Sequence, residues 1–168
     1  MHRAAGHSLG TGVGFDFTLA QPAKARQLAE AGGFDQVEFR EGRVEALPAE
    51  DASFDCAISN GLINLSAAKR KVFEEAARVL RPGGRLALAD IVTEQPLTEA
   101  VVCDASLWAS CIGGAAHETT YRQAIETAGL RIKELRGNDY EFLSGQARRA
   151  SARYGVKSIS LLAVKPDR

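Results

Sequence analysis

The sequence predicts a three-layer α/β fold with a mostly parallel sheet. Two observations carry that prediction. Segments of strand and helix character alternate along the chain. Two strand segments, Phe54–Asn60 and Arg85–Val92, are largely apolar, as in strands buried on both faces of a parallel sheet. At 168 residues the natural reading is a single domain, 1–168, with a sizeable core.

The elements follow in order. Ser8 to Phe15 carries alternating glycines, Gly10, Gly12 and Gly14, with Asp16 two residues on. Such glycines permit tight turns and close approach to a ligand, so this stretch reads as a loop. Pro22 to Ala31 is rich in helix formers and is stopped by Gly32-Gly33. Val37-Glu38-Phe39 alternates as a short strand. Phe54 to Asn60 is a buried strand with a polar end. Ser66 suits the cap of a helix whose Val72, Phe73, Ala76, Val79 and Leu80 recur at helical spacing. Arg81-Pro82-Gly83-Gly84 ends it, and Arg85–Val92 is the next strand.

A helix from Thr98 to Ile112 buries Val101, Val102, Ala105, Trp108 and Ile112. A shorter helix runs from Thr120 to Ala128, and a strand from Leu130 to Leu135. Asp139 to Tyr154 is helical with Leu143, Ala147, Ala150 and Tyr154 inward. Ser158 to Val164 is the last strand. Three strand ends are polar: Glu41-Gly42-Arg43, Ser59-Asn60 and Asp90. In open α/β sheets ligands sit beyond such ends.

Composition narrows the function. Lys+Arg and Asp+Glu both number 21, so no long-range field favours nucleic acid or an anionic membrane. No apolar run reaches the roughly 18 residues of a membrane span. The first seven residues lack the apolar core of a signal peptide, so a cytoplasmic location is expected. Cys56, Cys103 and Cys111 are too few for a disulfide framework and suit a reducing compartment. His2, His7 and His117 are scattered, and no structural metal site is expected. The phosphate-loop signature with its lysine is absent, which disfavours phosphoryl transfer.

Val79-Leu80-Arg81-Pro82-Gly83-Gly84-Arg85-Leu86 resembles the segment before the fifth strand of class I S-adenosylmethionine-dependent methyltransferases. Glu45-Ala46-Leu47-Pro48, followed by Ser53-Phe54-Asp55, resembles the approach to their fourth strand. The segments Ile58–Ser66 and Cys111–Ala115 are similar to the arsenite methyltransferase branch. The resemblance implies a Rossmann-like α/β/α domain with S-adenosylmethionine as cofactor and a small-molecule acceptor, arsenite or another thiol-bound species. It implies that Gly10, Gly12 and Gly14 approach the methionine portion and that Asp16 holds the ribose. Arg43 and Val44 would flank the adenine, and Ser59 and Asn60 would line the cofactor and acceptor side. Asn60 and Cys111 are the acceptor-side candidates.

The sequence departs from the family pattern twice. Gly61 stands where arsenite methyltransferases carry a cysteine. Cys103 and Cys111 are the remaining arsenic thiols, and on one regular helix their Cα atoms would be roughly 12 Å apart, awkward for joint binding. Cys56 reads as inert packing in a core strand. At the front, the glycine loop and the ribose acid share one short stretch, so one or two N-terminal elements of the complete fold are expected to be missing. The sheet edge left open would invite a second copy, hence a homodimer or larger assembly. The alternative to an enzyme is a non-catalytic remnant of the fold acting as an oligomeric binding or structural protein. Nucleic-acid methylation is disfavoured by the absence of any basic excess.

Overall fold

The computed structural model describes residues 10–167. Ser8 and Leu9 of the expected glycine loop, together with His2 and His7, lie outside the described residues. The chain divides into two compact units, Met1–Pro48 and Ala49–Arg168.

The first unit contains β1 (Gly12–Asp16), α1 (Ala20–Gly32) and β2 (Val37–Glu41). The two strands are parallel and in register from Gly12 opposite Val37 to Asp16 opposite Glu41. α1 is the crossover that parallel pairing requires. It ends where Gly33 turns left-handed (φ 69°) and donates its N–H back to the helix. The expected loop over Ser8–Phe15 is therefore a strand from Gly12 onward. Gly14 is where packing asks for a glycine: a Cβ there would lie 2.7 Å from the Phe39 ring, whereas one on Gly12 would make ordinary contact with Val37 at 3.5 Å. The large side chains of β2 lean over the bare backbone of β1.

The second unit follows the order β3 (Phe54–Asn60), a 3-10 turn (Ile63–Leu65), α2 (Lys69–Val79), β4 (Leu80–Thr93), α3 (Glu99–Val102), α4 (Ala105–Ala109), β5 (Ala116–His117), α5 (Glu118–Thr127), β6 (Arg131–Asn138), α6 (Gly145–Tyr154) and β7 (Lys157–Val164). The sheet order is β3-β4-β7-β6, with β5 paired to the end of β4. β3 and β5 run parallel to β4, whereas β7 is antiparallel to both β4 and β6. The mostly parallel sheet expected is thus a mixed one in this unit. The apolar run of β4 is explained all the same: Leu86, Leu88 and Val92 are buried, as are Ile159, Leu161 and Ala163 of β7. Val72, Phe73 and Val79 of α2 and Tyr121 and Ile125 of α5 are also sealed from solvent. Phe73 meets Tyr121 edge to face at 5.2 Å. A further core groups Ile91, Leu107, Ile112, Phe142, Ala147 and Tyr154.

Three expectations are corrected here. The helix over Thr98–Ile112 is two helices, because Asp104 accepts the Leu107 N–H at 2.9 Å and starts α4 afresh. The apolar spacing continues across the break and conceals it. Cys103 and Cys111 are therefore not two turns apart on one helix, and the 12 Å estimate lapses. The last helix begins at Gly145, capped by Ser144, so Leu143 lies outside it and is 94% exposed. Cys56 is exposed rather than packed in a core, since β3 ends the sheet and pairs with β4 alone among the described residues.

Candidate functional site

In the first unit the carboxyl ends of β1 and β2 lie side by side. Asp16 ends β1, and its Oδ1 accepts from the Thr18 N–H at 2.8 Å and the Thr18 hydroxyl at 2.7 Å. Both bonds favour the charged form and hold the carboxyl below its ordinary range. An ionised carboxylate has acceptor capacity for a pair of vicinal hydroxyls. The Asp16 carbonyl accepts from Gly42 N at 2.9 Å, which ties the two strand ends together. Arg43 and Val44 follow in a tight turn closed by Ala46 N–H on the Arg43 carbonyl at 3.0 Å. Arg43 is exposed and pairs with Glu45 at 3.6 Å; Val44 is half-buried. Asp16, Arg43 and Val44 are therefore neighbours. Gly12 and Gly14 lie within β1, Gly14 close under the Phe39 ring, and Gly10 precedes the strand with free space around it.

In the second unit the polar ends of β3 and β4 also converge. Ser59 sits next to last on β3, its hydroxyl buried and without a hydrogen-bond partner among the described residues. Asn60 ends the strand and is exposed. Gly61 then turns left-handed (φ 67°) and donates to the Ala89 carbonyl at 2.9 Å. This change of direction brings Asn64 under the end of β4, where its Nδ2 donates to the Ile91 carbonyl at 2.6 Å. Asn64 is fully buried and its Oδ1 has no partner among the described residues.

Asp90 is 3% exposed. It accepts the Ile91 N–H at 2.9 Å and the Tyr121 hydroxyl at 3.1 Å. Burial pushes its carboxyl up, against those bonds and the charge of Lys69. Burial pushes Lys69 down, opposed by Asp90. Burial and then the Asp90 charge push Tyr121 up. The Lys69 ammonium donates to the carbonyls of Ser66 at 2.9 Å and Asn64 at 3.4 Å.

Cys111 stands half-buried against the same turn, its Sγ donating to the Gly61 carbonyl at 3.7 Å. Burial and the Asp90 charge raise its thiol above the ordinary value. Its backbone is left-handed (φ 60°), a conformation few non-glycine residues adopt. The structure thus gathers Ser59, Asn60, Asp90 and Cys111 at one end of the sheet. Cys103 lies at the helix break and is exposed. Sequence reasoning singled out Asp90 as a polar strand end but missed Asn64, Lys69 and Tyr121. Asn64 had a signal: a lone amide between Ile63 and Leu65.

A family model described as a methyltransferase domain matches residues 2–135. The chain belongs to that family. This methyltransferase domain is 35% identical over 159 residues to an arsenite methyltransferase of Halobacterium salinarum, covering 93% of the chain and 40% of that protein. It is 39% identical over 133 residues to an arsenite methyltransferase of Aquipseudomonas alcaligenes, covering 75% and 38%. The chain thus spans about two-fifths of the length of these curated relatives.

Among solved structures it matches an arsenic(III) S-adenosylmethionine methyltransferase from Chlamydomonas reinhardtii, with a TM-score of 0.76 and 28% identity over 94% of the chain and 55% of that structure. A geranyl diphosphate methyltransferase in complex with sinefungin matches with a TM-score of 0.77 at 19% identity, over 92% of the chain and 63% of that structure, and speaks for the fold alone. The Rossmann-like α/β class expected from the resemblance is the class of these neighbours. No helix among the described residues is long and apolar enough to cross a membrane.

Proposed function

We propose that this methyltransferase domain binds S-adenosylmethionine and methylates a small-molecule acceptor, arsenite or another thiol-bound species, in the cytoplasm. The observation that carries the reading is Asp16, kept ionised at the end of β1 beside the Arg43-Val44 turn. That donor and acceptor set fits a nucleoside: a carboxylate for the ribose hydroxyls, and an arginine stem with an aliphatic side chain for the faces of the adenine. The cofactor, when bound, supplies a sulfonium methyl already activated for transfer. What the chain must add is alignment rather than acid–base chemistry. Ser59 and Asn60 line the acceptor side. Cys111 offers a soft ligand suited to a thiophilic acceptor, and its raised pKa keeps it a thiol until an acceptor displaces the proton. Three free cysteines support a reducing compartment.

The test is isothermal titration of the whole chain with S-adenosylhomocysteine. Saturable binding is expected, and Asp16→Ala should weaken it at least about tenfold, the scale of a lost hydrogen bond to a charged group. Absence of saturable heat from the unsubstituted chain sinks the reading.

We further propose that two copies pair through β3. Among the described residues the strand pairs in the sheet with β4 alone, Ile58 is 84% exposed and Cys56 is exposed near it. An apolar edge of that kind is a template for a second strand. Sedimentation at micromolar concentration should give a dimer, and Ile58→Lys should shift it to monomer. A monomer without the substitution refutes the pairing.

A further inference from the structure

The Gly61–Ser66 turn is strapped down from two sides. From β4, Ile91 holds the Asn64 amide at 2.6 Å and Ala89 holds the Gly61 N–H at 2.9 Å. From α2, Lys69 grips the Asn64 and Ser66 carbonyls. The Lys69 charge is balanced by Asp90, which Tyr121 and the Ile91 N–H hold in place. The 111–114 loop leans on this turn at two points. Cys111 Sγ meets the Gly61 carbonyl at 3.7 Å, and Gly114 approaches so closely that a Cβ there would lie 1.9 Å from the Asn64 carbonyl oxygen. Nothing else in the site fixes the thiol by a hydrogen bond among the described residues.

We propose that Lys69 and Asp90 are positioning residues. They clamp the Gly61–Ser66 turn between α2 and β4, and so set where the Cys111 thiol is presented. Neither touches the acceptor. Each acts through the turn, Lys69 by tying the carbonyls of Asn64 and Ser66, and Asp90 by accepting the Asn64 backbone N–H and by the attraction of its charge for the ammonium. The role of Cys111 toward an acceptor rests on the function proposed above; the clamp itself does not.

The experiment is alkylation by iodoacetamide, followed at each cysteine by peptide mass spectrometry. The exposed Cys56 and Cys103 serve as internal references. In Lys69→Met and in Asp90→Asn, Cys111 should react about tenfold faster relative to the references, the scale of one lost hydrogen bond to a charged group. Lys69→Arg, which keeps a cation and its donors, should stay within about twofold of the unsubstituted chain. Affinity for S-adenosylhomocysteine should be unchanged in Lys69→Met and Lys69→Arg. The proposal falls if Cys111 is unaltered in both Lys69→Met and Asp90→Asn. It falls equally if all three cysteines accelerate together, since that is general loosening, or if Lys69→Arg behaves as Lys69→Met. A chain that binds no S-adenosylhomocysteine overturns the proposed function while leaving the alkylation result to judge the clamp.

Discussion

Gly114→Ala destabilises the second unit by about 3 kcal/mol, the upper end of what overpacking costs. The added methyl would lie 1.9 Å from the Asn64 carbonyl oxygen and 2.8 Å from the Trp108 ring. The first contact is with backbone, and that backbone cannot slide away. The Asn64 side chain is bonded to Ile91, and its carbonyl to Lys69. Relief requires the 111–114 loop to lift from the turn, which breaks the Cys111 contact as well. Trp108 is the one tryptophan and belongs to the second unit, so its fluorescence in a urea titration reports that unit. Gly61→Ala is the comparison. It has nothing within 4 Å of the new Cβ and carries only the cost of a left-handed backbone, roughly 1–2 kcal/mol. If Gly61→Ala proves the more damaging of the two, steric closeness at Gly114 is not what governs the loop.

Phe73→Ala is expected to cost about 3–5 kcal/mol by the same measurement, the range for deleting a buried aromatic ring. Phe73 has no exposed surface, and its ring meets Tyr121 edge to face at an interplanar angle of 81°. Its loss leaves a cavity between α2 and α5 and removes the support of Tyr121, the residue that bonds Asp90. Near-ultraviolet circular dichroism should show the tyrosine signal change before the unfolding transition. Phe73→Leu, which fills most of the space, should lose less than half as much. Equal losses for leucine and alanine would show that the ring-to-ring contact, not volume, dominates.

The sequence was legible where the signal is local. The bounds of β3 are those expected from Phe54–Asn60, and α1 stops at the glycine pair that marks its end. It misled where a tertiary partner decides. The glycines of β1 read as a loop until their pairing with β2, with Phe39 close over Gly14, is seen. The Thr98–Ile112 periodicity hides a break that Asp104 imposes with a single side-chain bond. Cys56 resembles a core residue because the strand around it is apolar, yet its strand ends the sheet. Of the candidate site, Asp16, Arg43, Val44, Ser59, Asn60 and Cys111 all lie at or beside the polar ends of strands or against the turn that follows one. The partners of Asp90 stayed hidden because Lys69 and Tyr121 sit on different helices, and only the fold brings them to the same carboxylate.

Cys111 holds its thiol on a backbone that glycine would occupy without strain. Cys111→Gly would relieve the left-handed backbone and remove the sulfur together. On the proposed function, position 111 sets the thiol's role against the cost of its backbone, so engineered stabilisation of this domain should leave it untouched.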